Sequence, residues 1–223
     1  MGRNLLGFWP VRSTVLGVAG GSGVGKTTLV NRVVERLGNR ATVLWFDEYY
    51  HDLIHLDPDE RATVNYDHPD SLDSALLVEH LDSLLTGRAV EVPIYDFSTH
   101  TRTGSTRRVD PRSVVVVDGI LVLAVPEVRD RIDLAVFVDA PEQVRLGRRL
   151  ERDVRERGRT PESVRAQFAA TVAPMHETHV VPSGEYADLL LDGAGELARN
   201  VDMVVDAVDQ MVVRLEGTFA TPP

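Results

Sequence analysis

Short runs of apolar, often β-branched residues alternate along the chain with longer segments whose apolar residues recur at helical spacing. Such runs are typical of strands buried on both faces of a parallel sheet, and the segments between them are typical of crossover helices. The pattern therefore predicts an α/β fold with a doubly wound, parallel, five-stranded sheet and helices on both faces. The predicted strands are Thr14–Val18, Thr42–Phe46, Val114–Val117, Leu134–Val138 and Ala187–Leu191.

Two elements are predicted between the second and third strands. Residues 72–85 place apolar side chains on one helical face, with Ser71 as the expected N-cap and Gly87 just beyond the C-terminus. Further along, two apolar runs flank a polar stretch that contains a glycine, which predicts a β-hairpin within residues 88–112. We expect this hairpin to help cover a substrate.

A glycine-rich sequence follows the first predicted strand and matches the pattern G-x-x-x-x-G-K-[ST], with a helix expected to begin near Thr28. In such loops the backbone N–H groups and the helix N-terminus face phosphate oxygens, the lysine contacts the outer phosphates and the hydroxyl residue ligates Mg²⁺. The context predicts a P-loop NTPase-like fold. The expected phosphate-binding residues are Gly20, Gly21, Ser22, Gly23, Val24, Gly25, Lys26, Thr27 and Thr28.

Lys26 is the only lysine in the chain, because 23 of the 24 basic residues are arginine. A compact ammonium group on a flexible stem suits a position between phosphates. The guanine-reading N-K-x-D element of regulatory GTPases requires another lysine, so a GTPase switch does not fit this sequence.

Two acidic residues stand at the ends of predicted strands. Asp118 follows Val114–Val117, and Asp47 follows Thr42–Phe46. Ligands of open α/β sheets gather at the carboxyl ends of the strands, so we expect both carboxylates near the phosphates, one organising Mg²⁺ and one accepting the proton of an attacking hydroxyl. An acid that merely terminates a strand is the alternative for Asp118. The candidate metal ligands are Thr27, Asp118 and Asp47.

Composition narrows the function classes. With 223 residues, 43% hydrophobic and 26% charged, the chain can bury a sizeable core, and its net charge of −10 argues against general binding to nucleic acid or anionic membranes. No apolar run approaches the ~20 residues of a membrane helix, and the absence of cysteine excludes disulfides and thiol nucleophiles. We expect a cytoplasmic protein with a single domain over residues 1–217 and a disordered tail over residues 218–223.

One region departs from the acidic average. Between Arg145 and Arg165 there are eight arginines and four acids. Guanidinium groups suit phosphate oxygens, and the Arg157-Gly158-Arg159 break between two helical segments suits a moving lid over residues 145–167. For some of these arginines, a solvated helix face with interleaved acid–base pairs is the alternative.

Besides the glycine-rich loop, the chain contains seven further sequence blocks in this order: Phe46–Tyr50, Asn65–Pro69, Pro93–Arg102, Asp118–Leu121, Arg148–Asp153, Glu156–Arg159 and Tyr186–Asp188. Together these blocks resemble the uridine kinase (uridine–cytidine kinase) family of P-loop kinases. The resemblance implies transfer of the γ-phosphate of ATP to the 5′-hydroxyl of uridine or cytidine, giving UMP or CMP and ADP, as in pyrimidine salvage. GTP is left open as the donor in place of ATP.

The resemblance also implies site roles. Asp47 would be the general base, and Asp67 with Arg149 would contact the ribose hydroxyls. It further implies a homo-oligomer, by resemblance a tetramer. The expected partner is a nucleoside as a small-molecule substrate, and neither nucleic acid nor a membrane is expected as a partner. The catalytic set is Asp47, Lys26, Arg152 and Arg157, with Arg159 on the donor phosphates; the substrate set is Tyr50, Asp67, Tyr95, Phe97, His100, Arg149 and Gln167, of which Tyr50, Tyr95, Phe97 and His100 would form the base pocket.

Two departures from the family pattern stand out. The family more often has Glu where Asp118 stands, and residues 192–199 lack the usual Pro-Arg-Gly-Gly-like turn. Phosphoribulokinases, pantothenate kinases and nicotinamide riboside kinases are broadly similar, so another small alcohol is an alternative acceptor. A non-catalytic nucleotide-binding regulatory domain is a third interpretation. His51 and His55 have the spacing of a helical metal site, but exposed loop histidines are the favoured interpretation.

Overall fold

The computed structural model describes residues 13–219 and contains one parallel sheet, a separate hairpin and helices between them. The strands are β1 (Thr14–Gly20), β2 (Ala41–Trp45), β3 (Val90–Asp96), β4 (Thr101–Val109), β5 (Val114–Asp118), β6 (Leu134–Asp139) and β7 (Leu189–Asp192). The helices are α1 (Lys26–Leu37), α2 (Pro58–Thr63), α3 (Ser74–Leu85), α4 (Pro126–Arg129), α5 (Glu142–Arg157), α6 (Pro161–Gln167), α7 (Ala173–Met175), α8 (Val181–Ser183) and α9 (Leu197–Phe219). The π-helical segments Phe168–Val172 and His176–Val180 join α6 to α7 and α7 to α8.

The five-stranded sheet has the order β2-β5-β1-β6-β7 with all strands parallel, which confirms the predicted fold class. β1 lies in the centre and all seven of its residues are buried. Two hydrophobic clusters cover the two faces, because side chains of successive strand residues point to opposite sides. As predicted, β1 and β5 are buried throughout and β6 is buried except at its last residue. The edge strands β2 and β7 are only partly buried, because each has a neighbouring strand on one side only.

The register of the sheet brings the site-bearing residues to one edge. Val18 of β1 pairs with Asp118 of β5, and Asp118 pairs with Trp45 of β2. The glycine-rich loop follows β1, and Asp47 comes two residues after Trp45. The glycine-rich loop and both carboxylates therefore lie at the same end of neighbouring strands.

β3 and β4 form the predicted antiparallel hairpin, with an irregularity between Pro93 and Tyr95. Two arginines of β4 attach it to the rest of the molecule. Arg102 pairs with Asp73 at 3.2 Å, and Arg107 pairs with Glu48 at 2.7 Å. These contacts fix the hairpin beside the segment that carries Asp47.

The structure corrects the predicted start of α3. Ser71 is not its N-cap; its hydroxyl donates to the carbonyls of Tyr66 and His68, at 3.0 and 2.6 Å. The cap is Asp73, whose side chain accepts from the Leu76 N–H at 3.1 Å. Leu72 forms a bridge with Tyr50, so it stays extended and the helix begins after Asp73.

Other predicted boundaries also shift. α1 begins at Lys26, and β2 ends at Trp45, followed by a 3₁₀ turn over Phe46–Tyr49. Helix α9 extends to Phe219, so residues 218 and 219 are helical where a disordered tail was expected, and residues 220–223 lie outside the described residues, as do residues 1–12. His51 and His55 are exposed.

The predicted break in the arginine-rich region lies between α5 and α6. Gly158 has a φ of 62°, the left-handed conformation that commonly ends a helix, and α6 begins three residues later. Among residues 13–219, no helix has the length and apolar character needed to cross a membrane.

Candidate active site

The glycine-rich loop wraps closely over the start of α5. Gly23 has a φ of 83°, and a Cβ atom there would lie 2.3 Å from the carbonyl oxygen of Arg145. Both the conformation and the close approach require glycine. The loop then leads through Gly25, with a φ of 103°, into the N-terminus of α1. Its backbone N–H groups thus stand where a helix dipole favours anions.

Lys26 lies in the floor of this loop and is 8% exposed. Its Nζ donates to the Gly21 carbonyl at 3.1 Å. Burial lowers the pKa of Lys26, and the nearby carboxylates of Asp118 and Asp47 oppose that shift. The ammonium group is therefore held between the loop and the two strand-end acids.

Asp118 is buried and bonded to the loop. Its Oδ2 accepts from the Thr27 hydroxyl at 3.1 Å, while its Oδ1 is buried without a hydrogen-bond partner among the described residues. Burial raises the pKa of Asp118 to about 6; Lys26 and the Thr27 hydrogen bond act against the rise, and Asp47 adds to it.

This donor set fits Mg²⁺. A carboxylate oxygen without a partner beside a threonine hydroxyl offers the hard oxygen ligands that Mg²⁺ prefers. Within residues 13–219 there is no cluster of three or more His, Cys, Asp or Glu side chains that could hold a metal. Mg²⁺ at this position would therefore take further ligands from phosphate oxygens and water, as it commonly does.

Asp47 lies in the 3₁₀ turn Phe46–Tyr49 and faces the same cavity as Lys26 and Asp118. The turn is anchored by Glu48, which pairs with Arg107; that guanidinium also donates to the Val43 carbonyl at 3.2 Å. The hairpin thereby holds the turn on which Asp47 stands.

The cavity at this edge of the sheet has a volume of about 620 Å³. It joins the loop, both strand-end carboxylates, the tip of the hairpin and the end of α5. Of the predicted site residues, Ser22, Gly23, Gly25, Lys26, Thr27, Thr28, Asp47, Phe97, Asp118, Arg152 and Arg157 line it. Gly20, Gly21, Val24, Tyr50, Asp67, Tyr95, His100, Arg149, Arg159 and Gln167 do not line this cavity.

Most of the predicted aromatic residues lie together next to the cavity. The ring of Tyr95 is 5.3 Å from that of Tyr50 and 5.2 Å from that of Phe97, measured between centroids. His100 stacks on Tyr66 at 4.4 Å, with 15° between the ring planes. Tyr66 was not among the predicted site residues, although it stands next to the predicted Asp67 in the sequence. These rings form one aromatic wall.

Arg149 connects the loop with the predicted ribose site. It donates to the Ser22 hydroxyl at 2.8 Å and to Oε1 of Gln167 at 3.0 Å. Burial raises the pKa of Asp67, and the charge of Arg149 opposes the rise. Arg159 donates to the same Gln167 oxygen, so it contacts α6 and not the cavity.

Comparison with known proteins identifies the family from this chain's sequence. The model of the phosphoribulokinase / uridine kinase family matches residues 15–198. The chain belongs to this family. It is 46% identical over 196 residues to a uridine kinase of Chloroflexus aggregans, a match that covers 87% of this chain and 94% of that protein. It is 41% identical over 201 residues to a uridine kinase of Staphylococcus aureus strain JH9, covering 90% and 97%.

Solved structures agree on the fold. Phosphoribulokinase from Rhodobacter spheroides superposes with a TM-score of 0.61 at 17% identity, covering 81% of this chain and 70% of that one. At that identity the likeness concerns the fold alone.

In this member of the phosphoribulokinase / uridine kinase family, the unusual segment after β7 packs against the phosphate loop. The Gly193 N–H donates to the Asp139 carbonyl at 2.7 Å. Arg148 donates to the carbonyls of both Val24 and Gly193, at 2.9 Å each. This segment therefore forms part of the wall behind the loop, a contact that no sequence motif predicts.

Proposed function

We propose that this protein transfers the γ-phosphoryl group of ATP to the 5′-hydroxyl of uridine or cytidine. The observation that carries the proposal is the cavity in which Asp47 faces Lys26 and the phosphate loop, with Phe97 of the hairpin at its edge. A phosphate donor, an acceptor hydroxyl and a base can meet there within one cavity. The relatives named uridine kinase, which align over most of the chain, support the pyrimidine nucleoside as acceptor.

The donor side follows from the loop. Backbone N–H groups and Lys26 would hold the β- and γ-phosphates, with Thr27 and Asp118 as the protein ligands of Mg²⁺. Mg²⁺, when bound, neutralises charge on the phosphate oxygens and orients them. Arg152 and Arg157 also line the cavity and would face the charge that develops during transfer.

The acceptor side follows from Asp47 and the aromatic wall. The 5′-oxygen would form a bond to the γ-phosphorus while the bond from that phosphorus to the β,γ-bridging oxygen breaks, and Asp47 would accept the hydroxyl proton. ADP and the nucleoside monophosphate are then the products. Asp67 with Arg149 would hold the ribose, and the rings of Tyr50, Tyr95, Phe97 and His100 would stack on or hydrogen-bond to the base.

The experiment is a coupled assay of ADP release with Mg²⁺ and either ATP or GTP. Uridine, cytidine, thymidine, ribulose 5-phosphate, pantothenate and nicotinamide riboside are supplied separately. We expect turnover with uridine, cytidine or both, and none with the other acceptors. Activity confined to another alcohol would contradict the acceptor assignment while leaving the phosphoryl transfer in place. ATP binding without transfer to any acceptor would favour the regulatory-domain interpretation.

Some expectations stay predictions. They are the single-domain organisation over residues 1–217, the role of residues 145–167 as a moving lid, the homo-oligomer and the cytoplasmic location.

A further inference from the structure

Asp153 is a carboxylate at the end of α5 that is completely buried, with 0% exposure. Its place in the sequence indicates no role, since acids interleaved with arginines on a helix usually belong to a solvated face. Burial of a carboxylate is costly unless opposite charges and hydrogen bonds compensate for the lost water. The surroundings of Asp153 therefore need an explanation.

Four guanidinium groups surround this carboxylate, and we call them the arginine array. Oδ1 accepts from Arg152 at 2.8 Å and lies 3.8 Å from Arg157. Oδ2 lies 3.4 Å from Arg149 and 3.6 Å from Arg159, within ion-pair range of both but with no hydrogen bond among the described residues. Four positive charges thus share one buried negative charge.

The backbone of Asp153 holds the same region. Its carbonyl accepts from the N–H groups of Gly158 and Arg159, which form the turn between α5 and α6. Side chain and backbone together therefore fix the turn and the guanidinium groups before and after it.

The arginine array contacts both the phosphate loop and the aromatic wall where the acceptor is proposed to bind. Arg152 and Arg157 line the cavity beside the phosphate loop, and Arg157 lies over the Phe97 ring with 5.0 Å to its centroid. Arg149 contacts Ser22 of the loop. Without a shared counter-ion these guanidinium groups would repel each other and turn toward water.

We infer that Asp153 is a positioning residue of the phosphoryl-transfer site, which holds the arginine array in one arrangement beside the cavity. The inference rests on the proposed function. It assigns no contact between Asp153 and substrate. Its effect is exerted through the arginines, whose excess positive charge remains available to phosphate oxygens.

The test compares Asp153→Asn with Asp82→Asn. The control also removes one carboxylate from an arginine pair, since Asp82 binds Arg131 at 2.6 Å, but it lies on α3 and does not line the cavity. Calorimetric titration with ATP and Mg²⁺ gives the fraction of binding sites and the Kd. Turnover with uridine is then divided by that fraction, so that unfolded protein does not count.

For Asp153→Asn we expect at least about a tenfold loss of turnover per binding site, because misplaced groups lose transition-state contacts. The Kd for ATP should stay or become smaller, because a negative charge near the phosphates is removed. Asp82→Asn should match the wild type in both quantities. Turnover per site within about twofold of wild type would overturn the inference. This holds even if the total activity falls because fewer ATP-binding sites remain.

Asp153→Glu keeps the charge and displaces the carboxylate by one methylene. We expect it to retain ATP sites while its turnover per site stays several-fold below wild type. If Asp153→Asn yields no folded protein, Asp153→Glu decides alone, and wild-type turnover per site in that variant would contradict the positioning role.

A readout without activity separates this inference from the proposed function. Trypsin can cleave after Arg157, the last residue of α5, and after Arg159 in the turn that follows. We expect Asp153→Asn, and not Asp82→Asn, to speed cleavage there several-fold, because the turn loses its counter-ion. If the wild-type protein is inactive on every acceptor, only the proposed function is contradicted. If trypsin cleaves Asp153→Asn at the wild-type rate, the inference that Asp153 positions the arginine array is contradicted.

Discussion

At the scale of single residues, Asp47 and Asp118 show how environment gives different roles to two identical side chains. Asp118 is enclosed, bonded to Thr27, and has a pKa raised to about 6 by burial. Asp47 stands on a 3₁₀ turn at the wall of the cavity. An enclosed carboxylate beside a hydroxyl suits a cation, and one that faces the open cavity suits proton transfer from a hydroxyl.

Asp47→Asn tests this division. We expect a loss of turnover of at least about 100-fold with uridine and ATP, because the amide cannot accept the hydroxyl proton. The Kd for ATP should change less than about threefold. A coupled ADP assay and calorimetry measure the two quantities, and Asp110→Asn, an exposed acid paired with Arg108, is the matched control. Normal turnover in Asp47→Asn would show that another group is the base.

Gly21 illustrates a glycine that is needed for space. A Cβ atom there would lie 2.7 Å from Nδ1 of His176, whose ring is buried behind the loop. Burial and Arg145 lower the pKa of His176 to about 4, so the ring is neutral at pH 7 and the conflict is steric.

We expect Gly21→Ala to weaken ATP binding at least about tenfold, because the loop must move away from His176. The double variant Gly21→Ala with His176→Ala should recover most of that loss, since it removes the ring. Gly147→Ala is the control, because a Cβ at that position of α5 meets nothing within 4 Å. Equal affinities for the single and double variants would exclude the clash as the cause; calorimetry gives all four values.

At the scale of elements, the start of α3 depends on a neighbour. Ser71 and Asp73 are both good capping residues, and helical periodicity alone cannot choose between them. The bridge between Leu72 and Tyr50, together with the bond from the Asp73 N–H to the Tyr49 carbonyl at 2.8 Å, keeps residue 72 extended. Tyr50 and Asp73 also meet the hairpin together, because Arg102 of β4 donates to the Tyr50 carbonyl and to the Asp73 carboxylate.

Asp73 has two separable functions in this arrangement. Oδ1 caps α3, and Oδ2 pairs with Arg102 of the hairpin. Asp73→Asn should keep the cap and lose the ion pair, whereas Asp73→Ala should lose both. We expect Asp73→Ala to be less stable than Asp73→Asn by about 1 kcal/mol in urea unfolding, the usual contribution of an N-cap. Equal stabilities would mean that the cap contributes nothing here.

At the scale of the whole molecule, positive charge is concentrated in one place although the chain as a whole is acidic. The chain has a net charge of −10, yet the end of α5 gathers four arginines around one buried carboxylate. The net negative charge disfavours general binding to polyanions, while this local cluster of arginines favours small phosphate ligands.

Asp118 also links the stability of the Mg²⁺-free protein to pH. Burial raises its pKa from an ordinary 3.8 to about 6 in the folded protein. Because the folded state holds this proton more tightly than the unfolded chain, the stabilisation is fully present below about pH 4 and is lost as pH rises through about 6. Relative to Asp118→Asn, the wild-type free energy of unfolding should therefore fall between about pH 4 and 6 and level off above about pH 7.

Urea unfolding of both proteins in EDTA at several pH values measures this difference. The comparison cancels the contributions of the other carboxylates. The quantity compared is the free energy of unfolding of the wild type minus that of Asp118→Asn. If it stays constant from about pH 4 to about pH 7, or increases with pH, the Asp118 carboxyl is not the titrating group.

The sequence by itself determined the fold class, the phosphate loop and the two strand-end acids, because these depend on local patterns: β-branched runs, glycine spacing, and an acid directly after a strand. Only the tertiary structure decided which polar groups are enclosed. Asp153 and His176 look like ordinary surface residues in the sequence, yet both are buried. The turn between α5 and α6 brings Arg157 and Arg159 back onto Asp153, and the segment with His176 packs against Gly21 of the phosphate loop. A local sequence pattern specifies neither the direction of that turn nor a contact between residues far apart in the chain.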